Sequence, residues 1–500
     1  MKIKCIITTL GCILPLALAA ASHADTSSET PVPEYQHASP AAYEAFQDLK
    51  YGIRIHWGIY TLAHAKIPDA KGGESWMFLP LIFQQKQEYQ ELYKTWNPTG
   101  FDAEGWAQLF ATNGMTMFAI TTKHHEGFSL FDTKTRVKQR VNWTAPGGPA
   151  LEKCDLAYSV METPFHRDII KELCDAGHRN GLAIDLYFSH TDWYDADFRP
   201  YGGDPIYVRN TDTFHSQADE KRHAQFEKFE FTAPPPTPEE ENRMMDRHRQ
   251  QLTELLSNYG KIDMVCLDIG LGDRVWPQLR ETMLALRKLQ PDVMFRNRGI
   301  GAYGDYETPE RVIPTSGQTQ KRPWFVIYPL ASNFDYDPNP AKYKGGEWII
   351  RSLVDSVAKG GNFMVGVGPG PDGTFHPKTI ENLQTAGVWL KINGEGIYAT
   401  RAREEDLWHE GDEIRYTQSK DHQTIYAFSL HWPGKTLTLK TVQPKAGSPI
   451  FLFGHEKPLA WTYSAGTGTV IQMPDELQNP ASQNNFFVCG FKIQPEKGRP

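Results

Sequence analysis

Short apolar segments alternate with helical stretches along the chain between Tyr51 and Lys391. The apolar segments are rich in Ile, Val, Phe and Met, and polar residues or glycine bound each of them. This pattern is typical of parallel strands that are buried on both faces of a sheet. The strands predicted in this way are Tyr51–His56, Thr116–Thr121, Leu182–Ser189, Ile262–Asp268, Val293–Asn297 and Asn362–Val367.

Two of the intervening helices have ends that can be recognised in the sequence. Thr163-Pro164 predicts the start of one helix, which runs to Asn180-Gly181, where glycine can adopt the left-handed cap. Thr237-Pro238-Glu239-Glu240 predicts a capping box at the start of another helix, which ends near Tyr259-Gly260. Between these helices, Asp195–Pro236 has many charges and little periodicity, so we expect a long connection there.

The alternation of strands and helices fits either a (β/α)8 barrel or a doubly wound parallel sheet. No G-x-G-x-x-G motif follows the first predicted strand, and polar residues directly follow several strands. We therefore predict an α/β fold in which residues 25–400 form a (β/α)8-like, TIM-type barrel.

The pattern changes beyond Arg401. Gly, Pro and Asp or Asn turns separate short segments there, as is typical of an antiparallel sandwich. Residues 401–500 are predicted to form a C-terminal antiparallel β-sandwich that carries no cluster of catalytic residues. Its predicted strands are Glu413–Thr417, Thr424–His431, Thr436–Thr441, Ile450–Phe453, Leu459–Tyr463 and Phe486–Ile493.

The first residues have the pattern of a cleavable export signal. A short basic region precedes an apolar run that reaches Leu18, and Ser22-His23-Ala24 supplies small residues for cleavage before Asp25. We expect residues 1–24 to be a signal peptide that directs the protein to the periplasm or the extracellular space. No later segment is apolar over a sufficient length to predict a membrane span.

Composition narrows the classes of function. The net charge is −8 and no polybasic run occurs, which argues against a nucleic-acid or anionic-membrane partner. The 13 Trp, 21 Tyr and 26 Phe residues suit sugar binding, although a large core contains such residues equally. The cysteines beyond the predicted signal lack C-x-x-C spacing, and the sequence leaves a Cys154–Cys174 disulfide open.

Polar side chains gather at the predicted carboxyl ends of the strands, where barrel enzymes carry their catalytic groups. Asp268 is the hardest to explain structurally, since a carboxylate beside an apolar strand costs free energy without a partner or a task. Carboxyl groups, hydrogen-bond donors and aromatic platforms together suit glycoside hydrolysis. The candidate platforms are Trp57, Trp76, Tyr187 and Trp193, and the other strand-end candidates are His56, Lys123–Phe128, His190, Asp192, Tyr194, Arg296–Arg298, Asp305, Glu307 and Glu310.

Six motifs, in this order, resemble those of glycoside hydrolase family 29, the α-L-fucosidases. They cover roughly Tyr51 to Arg401, and the predicted sandwich occupies the place where that family carries its C-terminal β domain. The motifs are YGIRIHWGIY at Tyr51–Tyr60, KHHEGF at Lys123–Phe128, RDIIKELCDAGHRNGL at Arg167–Leu182, LYFSHTDWY at Leu186–Tyr194, GGNFMVGVGPGPDG at Gly360–Gly373 and NGEGIY at Asn393–Tyr398.

The resemblance implies an exo-acting, retaining hydrolase that removes terminal α-L-fucose from a fucosylated oligosaccharide or glycoconjugate, with no metal ion or cofactor. It implies that Asp268 is the nucleophile and forms a covalent fucosyl-enzyme. The general acid/base is expected at Glu310, in the segment Thr308-Pro309-Glu310, with Glu307 as the alternative. The residues implied to bind the sugar are His56, Glu74, Trp76, His124, His125, Tyr187 and Arg298.

Three other functions stay open at the level of the sequence. A related enzyme could act on α-L-galactose, because an apolar pocket excludes an added hydroxyl only weakly. A fucose-binding protein without catalysis could retain the same fold. A metal-dependent barrel hydrolase could use the histidines and Asp268, although adjacent His124 and His125 cannot easily present both rings to one ion. Linkage preference and oligomeric state are not indicated.

Overall fold

The computed structural model describes residues 29–67, 70, 73–199, 231, 233–315, 322–479 and 486–496. The predicted signal peptide at residues 1–24 and most of the predicted connection Asp195–Pro236 lie outside the described residues. Within the described part of the chain, no helix has the length and apolar character needed to cross a membrane.

In the described part of the chain, nine strands precede the C-terminal region, and seven of them form one parallel sheet. They are β1 Tyr51–Ile55, β2 Met117–Lys123, β3 Val137–Asn142, β4 Ala150–Leu156, β5 Ala183–Ser189, β6 Met264–Asp268, β7 Met294–Phe295, β8 Phe325–Pro329 and β9 Asn362–Val367. β3 and β4 form a separate antiparallel pair. The parallel sheet has the order β7-β6-β5-β2-β1-β9-β8, so its strands lie side by side in chain order around a ring.

Residues 306–310 join the two edge strands of this sheet and close the ring. Tyr306 pairs with Arg296, directly after β7, while Glu310 pairs with Ile327 of β8, and both pairings are parallel. Seven strands and this irregular segment make the eight positions of a (β/α)8 barrel. The predicted barrel is therefore confirmed, and its closing segment is the one that carries Glu310.

The prediction for the strands between Tyr51 and Lys391 is wrong in three respects. It omits β3 and β4, the separate antiparallel pair. It omits β8, whose apolar run is short and ends in Pro329; the strand forms because β9 pairs with it along its whole length. It also extends the fifth predicted strand, Val293–Asn297, beyond Met294–Phe295, where regular pairing with β6 stops. Beyond Phe295 the chain leaves the regular ladder, and Arg296 forms an isolated bridge with Tyr306.

Helices connect the strands, and neighbouring helices pack on one another. The capping box is confirmed, since the Glu240 N–H donates to the Thr237 hydroxyl and the Thr237 N–H donates to the Glu240 carboxylate. The predicted helix start at Thr163-Pro164 is wrong, because Asp168 caps that helix by accepting from the Lys171 N–H at 2.9 Å. The α-helices are Pro40–Asp48, Tyr60–Lys66, Phe83–Gln90, Ala103–Thr112, Ile169–Arg179, Pro238–Asn258, Trp276–Leu289, Gly346–Ala358 and Pro377–Asn393.

Two antiparallel sheets with a core of their own form the C-terminal region. Their strands are β10 Thr400–Ala402, β11 His409–Glu410, β12 Ile414–Ser419, β13 Ile425–Ser429, β14 Thr436–Leu439, β15 Phe451–Leu452, β16 Trp461–Ser464, β17 Gly468–Gln472 and β18 Cys489–Ile493. One sheet has the order β10-β12-β13-β18-β15, with β11 paired to β12, and the other has the order β14-β17-β16. The predicted sandwich is confirmed, although the prediction omits β10, β11 and β17.

The sandwich packs against outer helices of the barrel. Arg415 of β12 forms an ion pair of 2.5 Å with Asp355, and the Trp389 indole N–H donates to the Val488 carbonyl at 2.9 Å. Both partners on the barrel side belong to the last two helices, Gly346–Ala358 and Pro377–Asn393. These contacts attach the sandwich to the barrel.

The four cysteines of the described residues are all free thiols. Cys174 is buried in the helix Ile169–Arg179, and Cys154 is half-buried, with its Sγ atom 3.9 Å from the Tyr194 hydroxyl. The disulfide between Cys154 and Cys174 that the sequence left open is therefore not formed in this structure.

Candidate active site

The candidate site lies where the barrel strands end. Asp268 is the last residue of β6, and Tyr187 lies near the end of β5. His124 and His125 directly follow β2, and Arg298 follows β7. Because the strands are parallel, their carboxyl ends meet at one face of the barrel. The structure thus brings together residues that are far apart in the sequence.

Four side chains surround the carboxylate of Asp268. The Tyr187 hydroxyl donates to its Oδ2 atom at 2.8 Å, and His125 Nε2 lies 3.8 Å from the same oxygen. On the opposite side, Arg298 Nη1 donates to Oδ1 at 2.8 Å, while Arg296 Nη1 lies at 3.4 Å. Asp268 is thus held by charge-assisted hydrogen bonds and keeps a side-chain exposure of 13% at the barrel mouth.

The carboxylate of Glu310 contacts the same two arginines. Its Oε1 atom accepts from Arg296 Nη2 at 2.8 Å and lies 2.7 Å from Arg298 Nη2. Burial favours the neutral carboxyl, but Arg298 and Arg296 outweigh it and hold the pKa of Glu310 below its ordinary value. Each guanidinium group therefore bridges Asp268 and Glu310, and the two carboxyl groups are close neighbours.

The hydrogen-bond partners of His124 and His125 fix the orientation of both rings in the site. Ser189 donates its only hydroxyl proton to the Thr191 carbonyl at 3.0 Å, so it accepts from the Nδ1–H group of His125, which lies 2.8 Å away. In its neutral form, His125 then presents Nε2 as an acceptor toward the site. The Nδ1 atom of His124 contacts Ser75, and its ring stacks on Tyr187 with centroids 5.2 Å apart.

Two of the predicted sugar-binding histidines are neutral. Burial lowers the pKa of His56 and His124 far below the ordinary value, and nearby cationic groups act in the same direction. The His56 ring stacks on Phe334 with centroids 4.7 Å apart. Neutral imidazoles can exchange hydrogen bonds with hydroxyl groups without adding charge to the site.

Glu74 precedes Ser75, which contacts His124, and one oxygen of the Glu74 carboxyl group accepts a hydrogen bond from the backbone. Its Oε1 atom accepts from the Phe334 N–H at 3.0 Å, and its own N–H donates to Asp335 at 3.1 Å. Burial, followed by the Asp335 charge, raises the pKa of Glu74. Its backbone has a φ of +50°, a left-handed conformation that places Ser75 against His124. Its sugar-binding role stays a prediction.

Two tryptophans that the sequence proposed as platforms have different environments. Trp76 is 44% exposed, and its ring packs edge-on against His125 at 4.9 Å and against Trp193 at 5.4 Å. Trp57 is buried in a cluster that includes Trp96, and its indole N–H donates to a backbone carbonyl. The platform role proposed for Trp57 is therefore wrong, because its ring is part of the core.

Several other strand-end candidates have structural partners. The Glu307 carboxylate pairs with Arg322 at 3.1 Å. The Asp305 carboxylate is buried and pairs with Arg287 at 2.7 Å. Of the two alternatives for the general acid/base, Glu310 shares its arginine partners with Asp268, whereas Glu307 pairs with Arg322. Two further candidates are engaged in buried contacts: His190 with His248 at 2.9 Å, and Asp192 with Arg247 at 2.6 Å.

Arg296 is the main site residue that the resemblance did not single out. The sequence placed it at a strand end, but no pattern distinguished it from Arg298, two residues later. The signal that could have found it is the spacing, since residues two apart on an extended chain share a face. Within the described part of the chain, no group of three His, Cys, Asp or Glu side chains is arranged to hold a metal ion.

Parallel barrels with polar groups at their strand ends are typical of enzymes, and neighbouring carboxyl groups are what glycosidic bond cleavage needs. Fold and site together therefore define a glycoside hydrolase. A family model described as Alpha-L-fucosidase matches residues 16–395, and one described as Alpha-L-fucosidase C-terminal domain matches residues 409–493. The chain belongs to the α-L-fucosidase family, as its motifs suggested.

Named relatives agree with this assignment. The plasma alpha-L-fucosidase of Pongo abelii is 25% identical over 460 residues, which are 86% of this chain and 85% of the relative. The alpha-L-fucosidase isoenzyme 1 of Paenibacillus thiaminolyticus has a TM-score of 0.70 at 25% identity and covers 91% of this chain and 99% of its own. A Bacteroides thetaiotaomicron alpha-L-fucosidase, solved as a trapped covalent intermediate, has a TM-score of 0.67 at 22% identity. The match covers 93% of this chain and 98% of that one.

Proposed function

We propose that this α-L-fucosidase is an exo-acting, retaining enzyme in which Asp268 is the nucleophile and Glu310 the general acid/base. The observation that supports this assignment is the pair of arginine bridges between the two carboxylates. Retaining glycosidases need their carboxyl groups about 5–5.5 Å apart, whereas inverting enzymes need about 6.5–9.5 Å to admit a water molecule. Carboxylates that share two guanidinium groups fit the shorter separation.

In the first step, an Asp268 oxygen attacks the anomeric carbon of the fucosyl group and forms an ester bond. The glycosidic bond breaks, and its electron pair stays on the leaving oxygen. Glu310 donates its proton to that oxygen, so the leaving group departs as a neutral alcohol. The Tyr187 hydroxyl and the two arginines hold the Asp268 carboxylate in place for the attack.

In the second step, the Glu310 carboxylate removes a proton from a water molecule as the water oxygen attacks the same carbon. The ester bond breaks, and Asp268 leaves with the electron pair as a carboxylate. Two inversions give a fucose product of the original anomeric configuration, and both catalytic groups return to their starting protonation states.

The side chains around the carboxylates suit recognition of a sugar. His56, His124, His125 and Tyr187 offer ring nitrogens and a hydroxyl for the fucose hydroxyl groups, and Trp76 offers an exposed ring for an apolar sugar face. The Arg298 side chain is 15% exposed, and its guanidinium group donates to Asp268. We assign these residues, together with Glu74, to binding of the terminal fucose of an oligosaccharide or glycoconjugate.

A covalent fucosyl-enzyme has a parallel among the structural neighbours. The Bacteroides thetaiotaomicron structure is described as a trapped covalent intermediate in complex with 2-fluoro-fucosyl fluoride. That description concerns the relative, and it supports the two-step route for this chain through the shared barrel fold and the family membership.

Export is the second part of the proposal. The basic, apolar and small-residue regions of residues 1–24 favour cleavage before Asp25 and transfer to the periplasm or the extracellular space. N-terminal sequencing of the protein recovered from cell fractions tests this. An intact N-terminus in the cytoplasmic fraction alone would contradict export.

The function is tested with an aryl α-L-fucoside and proton NMR of the products. We expect hydrolysis in which the first-formed fucose is the α-anomer. Asp268→Asn should abolish the activity, while Asp292→Asn, at an exposed position, should retain it. Initial release of the β-anomer would refute the retaining mechanism. Absence of activity on aryl fucosides and on fucosylated oligosaccharides would refute the proposed function.

A further inference from the structure

We infer that Arg296 is the positioning residue that fixes Asp268 and Glu310 against each other, while Arg298 is the arginine that exchanges partners with the sugar. This inference rests on the proposed function and adds a division of labour between the two arginines. It begins from the observation that both guanidinium groups bridge the same two carboxylates, although they occupy different environments.

The two arginines differ in their access to the pocket. The Arg296 side chain is 1% exposed, whereas that of Arg298 is 15% exposed. The Arg296 Nη1 atom also lies 3.3 Å from Cys266 Sγ, inside the barrel. A sugar that enters from the mouth can contact Arg298, but Arg296 lies behind the carboxylates. Arg296 can therefore keep both contacts throughout the reaction.

The planar guanidinium group of Arg296 has two nitrogens that can hold two carboxylates in a fixed arrangement. One nitrogen of its guanidinium group faces Asp268 and the other donates to Glu310, so the planar group sets the distance and the angle between the two carboxylates. A lysine has a single ammonium centre and cannot reproduce this arrangement. Positioning errors of about 1 Å in a catalytic group can reduce the rate roughly 100-fold.

The arrangement also affects the proton on the general acid. The charged groups that face Glu310 are Arg296, Arg298 and the Asp268 carboxylate, with the Glu74 carboxyl as a further neighbour. With both arginines in contact, Glu310 is ionised in the resting site. When a sugar hydroxyl draws Arg298 away, one of the two cations is lost, and Glu310 takes up from solvent the proton that it then donates.

Arg296→Gln and Arg296→Lys test this inference. We measure the pH profiles of kcat and kcat/KM with an aryl α-L-fucoside, and we record Tm for each variant. Both variants should lose roughly 100-fold in kcat, since preorganised hydrogen bonds of this kind contribute about that much. In Arg296→Gln the basic limb of kcat/KM should move to higher pH by about one unit, because a cation beside Glu310 is gone.

Arg296→Lys separates charge from geometry. It keeps a cation, so its basic limb should stay close to that of the wild type while kcat still falls. It also tests the proposal if Arg296→Gln does not fold. Arg287→Gln serves as the control, because Arg287 is a buried arginine that pairs with Asp305 outside the site. This control should lower Tm and leave the pH profile unchanged.

Two results would overturn the inference. One is an Arg296→Gln enzyme with wild-type kcat and an unmoved basic limb, and the other is an Arg296→Lys enzyme with wild-type kcat. Either result, obtained beside a wild-type protein that hydrolyses α-L-fucosides, refutes the role of Arg296 and leaves the proposed function standing. An inactive wild-type protein would instead refute the proposed function, and the inference with it.

Discussion

The Tyr187 hydroxyl donates a 2.8 Å hydrogen bond to Asp268 Oδ2, the oxygen opposite the one that faces Arg296 and Arg298. The side chain of Asp268 is therefore held from both sides, by a neutral phenol on one oxygen and by two cations on the other. Its orientation in the pocket does not depend on a bound sugar.

Tyr187→Phe should lower kcat/KM for an aryl α-L-fucoside by roughly 10- to 100-fold. A hydrogen bond to a charged group contributes about 1.5–3 kcal/mol, and this one orients the proposed nucleophile. Steady-state kinetics at a fixed pH measures the effect. Tyr259→Phe is the matched control, since Tyr259 donates a bond of the same 2.8 Å length to Asp168 outside the site. Equal losses of activity in both variants would contradict a specific role for Tyr187.

Trp76→Ala should weaken substrate binding, whereas Trp57→Ala should destabilise the fold. Trp76 is exposed beside His125, so its removal should raise KM at least about tenfold while Tm stays nearly unchanged. Trp57 lies in the core, and its removal should destabilise the fold by about 3–5 kcal/mol. Thermal unfolding and steady-state kinetics on both variants check this. A large drop in Tm for Trp76→Ala, with unchanged KM, would contradict the assignment of Trp76 to the sugar site.

The pH dependence of stability should reflect Glu126. Burial raises the pKa of this carboxyl to about 8, so the folded chain retains a proton that the unfolded chain releases near pH 4.5. The stability linked to this proton is fully present below pH 4.5 and is lost as the pH rises to about 8. Glu126→Gln has no carboxyl group to ionise and does not lose this stability. The difference between its Tm and that of the wild type should therefore grow from pH 5 to pH 8.

Thermal unfolding at several pH values measures this advantage. Glu456→Gln, which replaces an exposed carboxyl, should show a constant difference from the wild type over the same range. A Tm difference for Glu126→Gln that does not change with pH would mean that Glu126 is already ionised in the folded protein at neutral pH.

The apolar segments predicted a parallel sheet because parallel strands covered on both faces are apolar along most of their length. The choice of a barrel over a doubly wound sheet came from the polar residues after the strands and from the missing G-x-G-x-x-G motif. The apolar pattern also explains the omission of β8, a short run that ends in Pro329 and becomes a strand through its partners. The irregular residues 306–310 have no periodicity at all. Their place in the barrel follows from the gap between the two edge strands, which is a tertiary property.

The placement of four candidate residues at strand ends was predictable from the sequence. His124, His125 and Tyr187 lie in short motifs and Asp268 ends an apolar strand, so the topology brings them together. The contacts of Arg296 with both carboxylates and the burial of Trp57 do not follow from the motifs. Both depend on which way a side chain points after the strand has ended, and on partners that are distant in the sequence.

The central claim is that Asp268 forms the covalent fucosyl-enzyme, and its most direct test is to trap that species. The protein is incubated with 2-deoxy-2-fluoro-L-fucosyl fluoride, and intact mass and peptide mapping locate the label. The account predicts one fluorofucosyl group per chain, on the peptide that contains Asp268, and no label in Asp268→Asn. A label on another residue, or none in an enzyme that hydrolyses α-L-fucosides, would contradict it.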